Sequence, residues 1–207
     1  LGVDVKICCT INNYTWDMIP VDVVKSIPVC DVLVATGYGS VKSTIECKNA
    51  SRKFYYIRGY EQWSTNKDNL IKSYRSLRCI VNSEWLQSYL KRKNIYSDLV
   101  YPGLDFEDFK DDQTYRENII GGLFSRRHKT KKHEDVISIG ISNGSKVLLI
   151  NRDIRNPSSS QLKDFYNKIK VWVSPSELEG LHNCPMEAAL CGCALVCTDH
   201  KRGGVSD

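Results

Sequence analysis

The chain has 207 residues, of which 42% are hydrophobic and 26% are charged, a composition typical of a globular protein with one or two domains. No apolar run approaches the roughly 18 residues that a membrane-spanning helix needs. The formal net charge of +5 is compatible with nucleic acid, an acidic membrane surface or small anionic ligands. The sequence therefore predicts no membrane-spanning helix, and its charge leaves the ligand class open.

The nine cysteines are odd in number and include no Cys-x-x-Cys pair, which argues against a disulfide framework and against the usual zinc sites. Several of them lie in apolar runs: Cys8, Cys9, Cys191, Cys193 and Cys197. We interpret them as small buried hydrophobic residues in a reducing compartment, which predicts a cytoplasmic protein. A metal site is the less favoured alternative.

Apolar runs alternate with helical patterns in the first half of the chain. Strands are predicted at residues 3–10, 31–36, 53–59, 78–82 and 94–102, and helices at residues 68–76 and 83–93. Continuous apolar strands that alternate with helices are typical of a parallel sheet covered on both faces. The acidic, turn-rich segment 102–118 is interpreted as a linker.

A second set of strands and helices follows the linker. Strands are predicted at residues 118–124, 146–151, 170–176 and 193–199, and helices at residues 158–169 and 183–192. Ser158 and Gln161 form a capping-box pattern, while Pro185 and Gly192 mark a helix start and a helix end. The sequence thus predicts an α/β protein with two Rossmann-like parallel-sheet units in tandem, residues 1–104 and 105–207. Ligands are expected beyond the carboxyl ends of the strands.

The segment SELEGLHNCPMEAALCG, residues 176–192, places two carboxylates between a strand and a helix. Such a loop leaves backbone N–H groups at a helix N-terminus, where anions bind. Glu187 is either a charge near the helix start or an acceptor for a vicinal diol, and Glu179 is either a solvated loop residue or a functional one.

A basic loop, LFSRRHKTKKHED at residues 123–135, follows the first strand of the second unit. Arg126 and Lys131 are five residues apart, and Arg127 and Lys132 repeat that spacing. Fixed Arg and Lys charges suit a polyphosphate, although a solvated loop or a nucleic-acid patch is also compatible with the pattern. Because no aromatic residue lies within RRHKTKKH, base stacking there is unsupported.

The order of residues after position 173 carries a resemblance to a known family. It contains Pro175-Ser176, Glu179-Gly180, Pro185, Glu187-Ala188, Cys191-Gly192 and Thr198. This pattern resembles the donor-binding signature of retaining glycosyltransferase family 4, which has the GT-B fold. IVNSEWLQSYL (80–90) and YPGLDFEDF (101–109) are similar to other segments of that family, and FYYIRGYEQW (54–63) resembles its rhamnosyltransferase-like branch.

The resemblance implies roles for the second unit. Glu179 would lie beside the donor sugar, and Glu187 would bind the ribose hydroxyls of the nucleotide. The loop residues Gly180, Leu181, His182 and Asn183 would offer backbone N–H groups to the sugar and the diphosphate. The cations that neutralise the diphosphate leaving group would be Arg126 and Lys131, or Arg127 and Lys132 in the alternative register.

For the first unit, the resemblance implies an acceptor site, for which Gly37, Tyr38 and Glu61 are the best candidates. The expected activity is that of a retaining hexosyltransferase, which moves a sugar from a nucleotide-diphosphate-sugar donor to a glycan or sugar acceptor in cell-surface polysaccharide biosynthesis. The resemblance implies no cofactor, no metal and no nucleic-acid partner. It is compatible with peripheral association at the inner face of the membrane.

Two alternatives stay open. The chain could be a non-catalytic remnant that binds a glycan or a partner protein, or a nucleic-acid-binding module built on residues 126–132. The family's first strand would precede Leu1 and its last helices would follow Asp207, so both units are expected to be incomplete. Lys131 and Ser158 are only 27 residues apart, so a helix and a glycine turn of the family are expected to be missing between them.

Overall fold

The computed structural model describes residues 2–9, 22–126, 129–151, 153 and 157–199. The chain divides into two compact units, the first formed by residues up to 57 and 61–80, the second by residues 58–60 and from 81 onward. The boundary at residues 104 and 105 stays a prediction. None of the helices in the described ranges is long and apolar enough to cross a membrane.

The early strands pair in parallel, as the sequence predicts. The elements are β1 (Lys6–Cys8), β2 (Asp22–Val24), β3 (Cys30–Ala35), α1 (Tyr38–Glu46), β4 (Ala50–Ile57) and α2 (Lys67–Ser76). β1 pairs with β2 and β3 pairs with β4, with Ala35 opposite Tyr55. The side chains of Tyr55, Ile57, Leu70 and Tyr74 are fully or almost fully buried in the core here.

Three further elements follow: β5 (Arg78–Val81), α3 (Glu84–Lys91) and β6 (Ser97–Leu99). The sheet that contains them has the strand order β3-β4-β5-β6. β6 is shorter than the predicted strand at residues 94–102, partly because Asn94 adopts a positive φ of 54°. That conformation belongs to a turn rather than to an extended strand.

The later part of the second unit contains a four-stranded sheet with the order β10-β9-β7-β8, whose pairs are parallel. Its elements are β7 (Ile119–Phe124), a 3₁₀ turn (Lys129–Lys131), α4 (His133–Ser142), β8 (Lys146–Asn151), α5 (Ser159–Lys168), β9 (Val171–Ser174), α6 (Asn183–Leu190) and β10 (Ala194–Cys197).

Two glycines allow both faces of the central strand β7 to be covered closely. A Cβ at Gly121 would overlap the side chain of Ile169, and one at Gly122 would lie 2.9 Å from Cγ1 of Val136. Larger residues would force these neighbours apart. The glycine pair therefore brings α4 and the end of α5 onto the strand whose carboxyl end leads into the basic loop.

Helix boundaries near the predicted site follow the sequence signals. Ser158 accepts a hydrogen bond from the Gln161 N–H at 3.2 Å, and the Gln161 side chain accepts one from the Ser158 N–H at 3.1 Å, which confirms the capping box. Pro185 lies in the first turn of α6, and Gly192 follows the helix with φ of 84°, the left-handed conformation that glycine adopts without strain.

The segment predicted as a linker is packed against α5 and the end of α6. Phe109 belongs to the hydrophobic core around Trp172, and the guanidinium of Arg116 donates to the carbonyls of Tyr166 at 2.8 Å and Ile169 at 3.0 Å. Arg116 also donates to the Cys191 carbonyl. The segment thus contributes to the core and caps helix ends, which leave carbonyls without intrahelical partners.

Candidate functional site

Two loops meet at the carboxyl edge of the second sheet because β7 and β9 are neighbouring parallel strands. The β7–α4 loop covers residues 125–132, of which 127 and 128 lie outside the described residues. The β9–α6 loop covers residues 175–182. This edge is where ligands bind in open α/β sheets.

Among the described residues of the two loops, two ion pairs and one backbone hydrogen bond join one loop to the other. Nζ of Lys131 contacts Oε1 of Glu179, and Nζ of Lys132 lies 3.0 Å from Oε1 of Glu177. Between these pairs, the Glu177 N–H donates to the Thr130 carbonyl at 2.9 Å. The structure therefore brings together Lys131 and Glu179, and it places Lys132 against a different carboxylate.

Glu179 is the more enclosed of the two carboxylates, with a side chain that is 12% exposed against 57% for Glu177. Burial by itself raises the pKa of Glu179, but the electrostatic effects of His182 and Lys131, together with hydrogen bonds from Lys131 and Ser176, lower it further than burial raises it. Glu179 consequently stays ionised below the usual pH range of a glutamate.

His182 begins α6 without capping it through its side chain. Its Nδ1 lies 2.8 Å from Oγ of Ser174, at the end of β9, and 3.7 Å from Oε1 of Glu179. The side chain is thus turned toward the sheet, and the first turn of α6 offers its N–H groups without a capping side chain from this residue. Such a helix start attracts anions. Asn183, the first residue of the helix, is exposed.

Gly180 is held by contacts within the second unit. Its carbonyl accepts a hydrogen bond from Nε1 of Trp85 at 2.8 Å, and a Cβ at this position would overlap the Arg58 carbonyl. Nδ2 of Asn82 in turn donates to the same Arg58 carbonyl at 3.2 Å. The predicted loop glycine is therefore required for close backbone packing.

Glu187 lies farther along α6, where the phenol of Tyr166 on α5 donates to its Oε2 at 3.0 Å. Burial is the main reason that the pKa of Tyr166 is raised, and the neighbouring Cys184 and Glu187 raise it further. The phenol thus remains a hydrogen-bond donor at ordinary pH, and it holds one oxygen of the half-buried Glu187 carboxylate.

Arg126 differs from Lys131 because its guanidinium is exposed and lies 5.8 Å from the centre of the Phe124 ring. Its backbone N–H donates to Oδ2 of Asp153 at 2.5 Å, and Oγ of Ser125 donates to the other oxygen at 2.9 Å. The structure does not bring the Arg126 side chain to the Lys131–Glu179 pair. Arg127, the alternative cation, lies outside the described residues.

The three acceptor candidates meet at the start of α1 in the first unit. The Tyr38 N–H donates to Oε2 of Glu61 at 3.1 Å, and a Cβ at Gly37 would lie 3.3 Å from Oε1. The Tyr55 phenol also donates to Glu61, and its pKa is raised by burial and by that carboxylate. Glu61 therefore compensates the positive end of α1.

A shallow surface recess, partly open to solvent, lies beside the two loops. It is lined by Leu123, Lys131, Trp172, Val173, Ser174, Pro175, Ser176 and His182. The recess encloses no space large enough for a water molecule, so it is not by itself a pocket for a small molecule. Within the described ranges, no three His, Cys, Asp or Glu side chains are grouped as metal ligands.

Sequence reasoning missed several residues that shape this site. Trp85 contacts Gly180, which is 95 positions away in the sequence, and Tyr166 contacts Glu187, which is 21 positions away. No local sequence pattern therefore marks either residue. Ser174 gives a weak signal because it ends a strand in front of the predicted loop. Asp153 appears isolated in the sequence, but it accepts hydrogen bonds from Ser125 and from the backbone N–H of Arg126 in the β7–α4 loop.

Comparison with known proteins gives matches in structure only. No protein-family model matches the sequence, and no curated protein is similar to it. A point mutant of TarM from S. aureus, in complex with fondaparinux, α-GlcNAc-glycerol and UDP, matches with a TM-score of 0.65 and 16% identity. The match covers 83% of this chain and 42% of that one.

Two further structures agree with this likeness. Sucrose-phosphate synthase from Thermosynechococcus elongatus matches with a TM-score of 0.62 and 14% identity. The match covers 81% of this chain and 56% of the synthase chain. The pneumococcal O-GlcNAc transferase GtfA, in complex with UDP and GlcNAc, has a TM-score of 0.55 and 14% identity over 86% and 43% of the two chains. The chain spans about half the length of these proteins. At such identities the likeness shows the fold, which is the predicted α/β fold of GT-B type.

Proposed function

We propose that the chain is part of a retaining glycosyltransferase that moves a hexose from a nucleotide-diphosphate-sugar donor to a glycan or sugar acceptor. The observation that carries the proposal is the enclosed Lys131–Glu179 pair beside the start of α6, which the His182 side chain does not cap. Support also comes from the GT-B-type fold and from the structures of TarM and GtfA with UDP.

Each part of the cluster has a role in this proposal. Glu179 faces the donor sugar as an ionised carboxylate, since its pKa is lowered by its neighbours. The N–H groups at the start of α6 face the diphosphate. Glu187 accepts hydrogen bonds from the ribose diol, while Tyr166 fixes one of its two oxygens.

The chemistry follows from the charge that develops when the anomeric C–O bond breaks. The sugar becomes cation-like and the nucleoside diphosphate gains negative charge. Lys131 stabilises that charge from a fixed position, and one such donor is typically worth about 3–4 kcal/mol of barrier. Arg126, whose exposed side chain lies on the same loop, is assigned the second positive charge. Attack by the acceptor on the face that the diphosphate leaves accounts for retention. A covalent intermediate on Glu179 is the less favoured route.

The remaining assignments also belong to the proposal. Gly37, Tyr38 and Glu61 are assigned to the acceptor, and the reaction is assigned to cell-surface polysaccharide assembly without a cofactor or metal. Location in the cytoplasm, with peripheral association at the inner face of the membrane, is part of the same proposal. The cationic β7–α4 loop and the lack of aromatic residues in RRHKTKKH favour a small polyphosphate over a nucleic-acid partner.

The experiment is calorimetric titration of the chain with UDP, GDP and dTDP in the absence of metal. The wild-type chain should bind at least one of them, and Glu187→Ala should weaken that binding about tenfold because the diol loses a charged acceptor. Glu46→Ala, which removes an exposed glutamate from α1, is the matched control and should bind like wild type. Binding of none of the three nucleotides, or equal affinity in Glu187→Ala, would contradict the proposal.

A further inference from the structure

The hydrogen bond from Trp85 fixes one peptide group of the β9–α6 loop. Trp85 lies in the first turn of α3, and its indole N–H reaches the Gly180 carbonyl at 2.8 Å. Gly180 follows Glu179 directly, so this peptide lies next to the carboxylate that is proposed to face the sugar. Both residues belong to the second unit.

The geometry of the peptide bond carries this constraint to the next residue. No cis peptide occurs among the described residues, and in a trans peptide the C=O and the following N–H point in opposite directions. Since the Gly180 carbonyl points to Trp85, the Leu181 N–H points to the other side of the loop. Within the described residues, this N–H donates to no backbone carbonyl.

Steric contact prevents the peptide from rotating away. Gly180 packs so closely on the Arg58 carbonyl that a Cβ would overlap it, and that carbonyl is itself held by Nδ2 of Asn82. The peptide between Gly180 and Leu181 is therefore constrained by packing on one side and by a hydrogen bond on the other. A group fixed before the ligand arrives loses little entropy on binding.

We propose that Trp85 is a positioning residue, which aims the Leu181 N–H at the phosphate next to the donor sugar. The inference rests on the proposed function, because it assumes a nucleotide-diphosphate ligand in this loop. It adds a residue of α3 to the donor site, although Trp85 itself does not touch the donor. We expect a substitution of Trp85 to leave the binding of the nucleoside part of the ligand unchanged.

The test uses Trp85→Phe, which keeps an aromatic ring and removes the N–H donor. Calorimetry compares the affinity for the nucleoside diphosphate that binds the wild type with the affinity for the matching monophosphate, which lacks the outer phosphate. Trp85→Phe should lose about five- to tenfold in diphosphate affinity and keep its monophosphate affinity. Trp63→Phe, which changes a tryptophan that is 72% exposed, is the matched control and should change neither.

The outcomes separate this inference from the function on which it rests. If the wild type binds no nucleoside diphosphate, the proposed function fails and the role of Trp85 fails with it. If the wild type binds and Trp85→Phe binds equally well, or loses both ligands equally, only the role of Trp85 is overturned. A second measurement needs no variant: the amide proton of Leu181 in wild type should shift strongly in NMR spectra with the diphosphate and little with the monophosphate, and the absence of that difference overturns the inference.

Discussion

Individual residues in the two loops have environments that explain their protonation and their partners. Lys131 and Glu179 face each other in a partly buried place, whereas Lys132 and Glu177 form a more exposed pair. Exposed pairs contribute little to stability and are screened by salt. Lys131 is thus the more enclosed of the two lysines, and the proposed leaving-group role is assigned to it.

The lowered pKa of Glu179 makes stability depend on pH. A carboxyl whose pKa is lower in the folded state contributes stability that is complete above its unfolded value, about 4.5, and is lost as pH falls through the folded value. As pH is lowered from about 5 to about 3, we expect the free energy of unfolding to decrease less in Glu179→Gln than in wild type. Urea unfolding followed at several pH values measures this.

Glu177→Gln serves as the control for this prediction, since it changes the exposed neighbour that pairs with Lys132. It should keep the wild-type dependence on pH. An unchanged dependence in Glu179→Gln would show that the carboxyl is not stabilised in its ionised form.

Among the helices of the described residues, α2, α3, α5 and α6 were predicted from the sequence, whereas α1 and α4 were not. α1 contains β-branched residues and Gly39, and α4 contains three isoleucines, one valine and Gly140, so local propensity does not favour a helix in either segment. Tertiary packing, rather than local propensity, stabilises these two helices. In α4, Val136 is buried, and Gly140 leaves room for Val147, since a Cβ there would overlap that side chain.

The capping box of α5 gives a prediction for this element. Ser158→Ala removes the acceptor for the Gln161 N–H, which should lower the free energy of unfolding by about 1 kcal/mol. The control is Ser83→Ala at the start of α3, where the serine side chain makes no capping bond. That variant should lose little stability in the same urea titration. Equal losses in both variants would contradict the capping role of Ser158.

For the whole molecule, a positive net charge does not by itself create a nucleic-acid surface. The chain carries a formal charge of +5, but Lys131 and Lys132 in the basic loop each face a carboxylate. A protein that neutralises several phosphates shows a steep dependence of affinity on salt. The paired lysines make such behaviour unexpected here.

We therefore expect weak binding of the chain to RNA or DNA, with a change of less than about tenfold between 50 and 200 mM salt, whereas six to ten phosphate contacts would give about 10³–10⁵-fold. Fluorescence anisotropy with labelled oligonucleotides measures this. The double variant Glu177→Gln and Glu179→Gln, which releases both lysines, should bind more tightly at low salt. A steep slope in the wild type would support the nucleic-acid alternative.

The sequence by itself determined most of the strands and helices, the start of α6 and the positions of Glu179 before it and Glu187 within it, because these depend on periodicity, caps and short spacings. Only the tertiary structure decided which lysine meets Glu179, since the pair joins residues 48 positions apart through two neighbouring strands. The same holds for Trp85 at Gly180 and Tyr166 at Glu187. Side chains on separate elements meet only once packing fixes the positions of those elements. No local sequence pattern encodes which of these side chains come into contact.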